Sequence, residues 1–179
     1  MGNYLVSIFI TLIFIIGAVY TDIHSDKIWN LWIAVGLGIG VLRQLLLGFP
    51  LGKSWIFGLA LPVLLFGLVF YIGGIGAGDI KLWILIGGMH GGRIVVRVMI
   101  ASLLIGALIG LIQFGRYKQW HFAYEDIRDY FKEMILQHKL LKYPGSSIPE
   151  RRVHFSVAIL LGYVWVQGVV IYHIITLLY

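Results

Sequence analysis

Five stretches of this chain run 18 residues or more with almost no Asp, Glu, Lys or Arg: 1–21, 28–48, 54–72, 98–115 and 153–179. A helix that crosses the hydrocarbon core of a bilayer needs about 20 mostly apolar residues. Each stretch therefore reads as a membrane span, with Arg43 near one end of the second, where it can snorkel to the interface. Asp79 to about Met89 is only half a span, so a further helix there must be short or lengthened by its flanks. Charged residues make up 12% of the chain, against roughly 25% in a soluble domain, too few to coat a water-facing surface. The expected fold class is all-α: one polytopic membrane domain over 1–179, with about six transmembrane helices. A cleavable signal peptide is not expected, because the first 21 residues are uncharged and no basic n-region precedes the apolar run.

Orientation follows from where the cations fall. With six spans, the loops 21–28, 73–81 and 115–152 share one side and hold ten Lys and Arg, while the opposite loops hold Arg43, Lys53, Arg93 and Arg97. The positive-inside rule places the richer set in the cytoplasm and both termini outside. The net charge of +6 thus reads as a topology signal, not as an affinity for nucleic acid.

Inside 115–152, Ile127, Tyr130, Phe131, Met134, His138 and Leu141 recur at helical spacing, predicting an amphipathic helix on the cytoplasmic surface. It is read as a structural linker, with substrate docking as the alternative. Gly36/Gly40, Gly48/Gly52 and Gly106/Gly110 fit close packing of small residues between helices.

Five of the eight acidic residues lie in that long loop; the others, Asp22, Asp26 and Asp79, sit at cytoplasmic ends of apolar helices. A charge in or near the bilayer is costly, which points to function. Asp79 follows Gly73-Gly-Ile-Gly-Ala-Gly78; it reads equally as a functional carboxylate and as the N-cap of a helix after a glycine turn. Asp22, alone, reads as a solvated loop charge. Together they emerge on one membrane face, and two carboxylates brought together share a proton. One can then act as base on water while the other polarises a carbonyl.

Thr21-Asp22-x5-Ile28-Trp29-Asn30, followed by Gly76-Ala-Gly78-Asp79-Ile-Lys81-Leu, resembles the prepilin peptidases (type IV leader peptidases) and the archaeal preflagellin peptidases. His154-Phe155-Ser-Val-Ala158-Ile-Leu-Leu-Gly162 is similar to a late segment of that family. Trp29 stands where the family has Pro, and His154 and Val157 replace late prolines. The resemblance implies a membrane aspartic endopeptidase with Asp22 and Asp79 as the catalytic pair and Gly76 and Gly78 as motif glycines. It implies a prepilin substrate, a basic leader joined to an apolar helix, cut after Gly at the cytoplasmic face of the inner membrane. The four-cysteine zinc segment of the long bifunctional members is missing, as the chain has no cysteine. The resemblance is thus to the short form of tight-adherence (Flp) pilus systems, with peptidase activity alone.

Other polar residues carry less. Asp26 reads as a loop charge, or, one turn beyond Asp22, as the true partner or a helper. Lys81 is expected to face away from Asp79, anchoring to lipid phosphate or binding the aspartates. Asn30 either orients a carboxylate or caps a helix. His24, His90 and His121 show no ligand spacing, and His154 and His173 fall near opposite ends of one span. No metal and no cofactor are expected. Two other readings compete: a presenilin-like intramembrane protease, near which Tyr20-Thr21-Asp22 comes, and a small proton-coupled transporter with two membrane acids.

Overall fold

The computed structural model describes residues 2–46, 52–117, 128, 132, 136 and 154–178. Six helices are described: α1 (Gly2–Ser25), α2 (Asn30–Leu46), α3 (Lys53–Tyr71), α4 (Ala77–His90), α5 (Gly92–Tyr117) and α6 (Phe155–Leu178). Four of them, α1, α3, α5 and α6, are long and apolar enough to cross a membrane. The expectation of six spans is met by length and composition for those four. Helix α2 has 17 residues and α4 only 14, so α4 is about 21 Å long against a hydrocarbon core of about 30 Å.

The short α4 is the hub of the bundle, packed against each of the other five helices. Its Leu82, Trp83, Leu85 and Ile86 have no exposed surface. Enclosed by neighbours, α4 need not match the thickness of the lipid. Around it gather Ile15 and Ala18 of α1, Ile33 of α2, Val95 and Val98 of α5, and Ile159 of α6. The buried Trp83 indole donates to Ser102 Oγ at 3.2 Å, so its polar edge is satisfied.

Backbone contact fixes the α3–α4 pair. A Cβ on Gly58 would stand 2.7 Å from the Gly87 carbonyl and 2.9 Å from the Gly91 backbone. The outer side of α3 is apolar and uncovered, with Leu64 74% exposed, as a lipid-facing surface would be. Gly36 and Gly40 of α2 lie against Leu85 and Met89 of α4, and Gly106 of α5 against Phe155, as small-residue packing predicts. Gly110 differs: among the described residues nothing lies within 4 Å of a Cβ placed there. Gly48 and the expected amphipathic helix over 127–141 lie outside the described residues, apart from Arg128, Lys132 and Leu136, which are helical.

At the far end of α4, His90 belongs to a buried polar network and not to a loop. Its Nε2 lies 3.1 Å from Thr11 Oγ1 and 2.9 Å from Tyr163 Oη. Nearby, Tyr4 Oη donates to Gln167 Oε1 at 2.7 Å. These contacts tie α1, α4 and α6 together where few other polar partners exist.

Candidate active site

Asp22 is carried by α1, which runs four residues past the expected end at Thr21 and closes at Ser25. Asp22 therefore sits in the last helical turn, on a fixed backbone, and not in a loop. The continuation is held by side chains that close onto their own helix: Thr21 Oγ1 donates to the Ala18 carbonyl and Ser25 Oγ to the Thr21 carbonyl. Asp26 then leaves the helix with φ 51, the left-handed region that Asp tolerates better than most residues. Its backbone N–H still donates to the Asp22 carbonyl at 2.9 Å. So Asp26 terminates α1 and does not extend the face that carries Asp22.

Asp79 enters from the other side of the site. Gly73, at φ 83, makes the turn out of α3 in a conformation that a residue with Cβ resists. Helix α4 has Gly76 as its N-cap, which places Asp79 third in the helix and corrects the N-cap reading. The carboxylate takes a hydrogen bond from the Gly76 backbone, reaching back as the N3 side chain of a capping box does. A Cβ on Gly76 would stand 2.9 Å from Asp79 Oδ2, and one on Gly78 2.9 Å from Ile28 Cδ1. The two motif glycines thus have separate duties. Gly76 leaves room for the carboxylate, and Gly78 lets the first turn of α4 rest on the segment between α1 and α2.

These segments enclose an open cleft of about 680 Å³, lined by Asp22, Asp79, Asp26, Asn30, Lys81 and His154 among others. Burial, then the neighbouring Asp22 charge, pushes the Asp79 carboxyl up to about 7, against the opposing hydrogen bond from Gly76. Asp79 lies outside the four candidate spans, at a cleft that opens to the surface. A carboxyl in this range holds its proton near neutrality, so the pair can offer one acid and one base.

Two neighbours were not legible from spacing. Ser156, fully buried in the first turn of α6, donates from Oγ to Asp22 Oδ2 at 2.6 Å. It falls inside the late 154–162 segment, the one signal that could have found it. Lys81 does not face elsewhere; it lines the cleft and its Nζ donates to Asn30 Oδ1 at 2.7 Å. Asn30 thereby ties α2 to α4. His154 Nε2 lies 3.6 Å from Asp26 Oδ1, pairing the entry of α6 with the end of α1. Among the described residues no three His, Asp or Glu side chains converge as a metal site requires.

A search of curated proteins and of solved structures found no match. The type IV leader peptidase family, however, matches residues 8–111, a segment that carries both Asp22 and Asp79 together with most of α1, all of α2 to α4 and most of α5. With more than half of its length matched in this way, the chain belongs to the type IV leader peptidase family.

Proposed function

We propose that the chain is an aspartic endopeptidase that cuts the short basic leader from a prepilin, with Asp22 and Asp79 as its catalytic pair. The observation that carries this reading is the shared cleft: two acids from different helices, α1 and α4, line it, one of them raised to about 7. Asp79, protonated, donates to the scissile carbonyl oxygen. Asp22, aimed by Ser156, takes a proton from water as the water oxygen attacks the carbonyl carbon. The resulting diol collapses as Asp22 returns that proton to the leaving amide nitrogen, the C–N bond breaks, and Asp79 recovers its own proton. The pair ends as it began.

The cleft suits a peptide that arrives extended at the end of an apolar helix. A prepilin supplies that geometry: its hydrophobic segment inserts in the bilayer and its Lys/Arg-rich leader stays on the cytoplasmic side. Glycine before the cut is the residue that approaches the packed 73–78 backbone most closely, which gives the preference implied by the resemblance a steric reason. Coexpression with a prepilin from the same genome, read by gel mobility and N-terminal sequencing, tests the reading. The expected product begins directly after that Gly. Replacing the substrate Gly by Leu should block cleavage and by Ala should leave part of it. Efficient cutting of the Leu variant, or a cut in the middle of the apolar helix, would refute the proposal in favour of presenilin-like cleavage.

A further inference from the structure

The cleft with the two aspartates occupies one end of α4; a second, unrelated feature lies at the other. There the first turns of α3 and α5 are drawn together, because Gly58, Gly91 and Gly92 meet at backbone distance. The contact brings Lys53, Arg93 and Arg97 around one groove of about 540 Å³, with Phe57 in its wall. All three cations are exposed. Among the described residues no hydrogen bond or ion pair engages their side chains, and the described acids, Asp22, Asp26 and Asp79, all sit at the opposite end. Three like charges around one groove repel one another unless an anion lies among them.

Arg97 also lines an adjoining trough of about 450 Å³ between α5 and α6, walled by Ile100, Leu104, Trp165 and Val169. The walls are uncovered, with Leu104 68% and Trp165 70% exposed. One arginine therefore joins a cationic groove to an apolar trough that runs along the bundle. That sequence of chemistries fits one class of ligand, an amphiphile with an anionic head and an acyl chain. A free phosphate would use only the groove, and a zwitterionic lipid would set its ammonium beside three cations.

We propose that this groove and trough form a binding site for an anionic phospholipid, its phosphate among Lys53, Arg93 and Arg97 and one acyl chain along Trp165. The site is independent of the peptidase reading and sits about 20 Å from the aspartates, the length of α4.

The test uses the full chain in detergent micelles and in nanodiscs. Native mass spectrometry with added phosphatidylglycerol should show one retained lipid, and phosphatidylcholine at the same concentration should show none. Lys53→Gln/Arg93→Gln/Arg97→Gln should lower the phosphatidylglycerol affinity roughly 100-fold, since each surface cation contributes about fivefold. Arg43→Gln, which removes a cation outside the groove, should leave it unchanged. In nanodiscs of phosphatidylcholine doped with phosphatidylglycerol brominated on its acyl chains, tryptophan fluorescence should be quenched, and Trp165→Phe should remove most of that quenching. This second readout leaves the cations intact, so a misfolded triple variant does not decide the matter. Equal retention of both lipids, an affinity unaltered by the triple substitution, quenching that persists in Trp165→Phe, or full displacement by millimolar inorganic phosphate would each overturn the proposal. The last outcome would mark a plain anion site without an acyl chain.

Discussion

Asp22 and Asp79 differ in what holds them, and the difference predicts how each responds to change. Asp79 is half-buried and reaches back to its own N-cap, whereas Asp22 is aimed by a hydroxyl from another helix. Asp22→Asn or Asp79→Asn should each abolish cleavage while the protein stays inserted and monodisperse. Asp26→Asn should keep most activity, because Asp26 closes α1 through its backbone. A dead Asp26→Asn beside an active Asp22→Asn would show that the pairing is wrong. Ser156→Ala should reduce kcat about 10- to 100-fold, the loss of one hydrogen bond to a charged group, with KM within about twofold if Ser156 acts only through Asp22. An acid role for Asp79 would set a pH limit as well. A carboxyl whose value in the fold is about 7 gives up its proton as pH rises through that value, so cleavage in membranes should fall on the alkaline side of about pH 7. A rate that stays flat to pH 9 would mean that Asp79 does not act as the acid.

At the scale of elements, glycine decides which helices touch. Gly58 and Gly67 lie on the same helix, α3, yet a Cβ at Gly58 meets only backbone within 3.0 Å, whereas one at Gly67 meets nothing within 4 Å. Gly58→Ala must push α3 away from α4 and should destabilise by about 1–3 kcal/mol, the usual cost of overpacking. Gly67→Ala should be neutral or stabilising, by up to about 1 kcal/mol from helix propensity. Melting temperatures of the two variants in one detergent compare them directly, and equal shifts would contradict the contact. The glycine pairs visible in the sequence foretold part of this. Spacing alone selected Gly36, Gly40 and Gly106 correctly and also Gly110, which meets none of the described residues, because a four-residue interval says that two glycines share a face without saying what that face meets.

For the whole molecule the open question is orientation. The ten-to-four distribution of Lys and Arg predicts that a reporter fused after Lys118 reads cytoplasmic and one fused after Tyr179 reads external. A cytoplasmic reading at Tyr179 would remove one crossing, and α4 is the helix to lose it, being 14 residues long and enclosed by the others. Such a result would leave the geometry of the cleft intact.

The sequence by itself determined the solvent and the exceptional residues. Long runs without charge are a local property, set by the cost of placing a charge in hydrocarbon, and the three acids at helix ends stand out against such runs. It could not say which apolar surface faces lipid and which faces protein, since both environments favour the same side chains. Only tertiary structure decided that α4 is the hub, that α1 continues far enough to carry Asp22 in its last turn, and that Lys81 meets Asn30. Only tertiary structure brought Ser156 to Asp22, 134 residues away. Such pairings depend on how each helix is rotated and shifted against its neighbours, and that is settled by close contacts such as Gly58 on Gly87 and Gly78 on Ile28, which no periodicity within a single helix records.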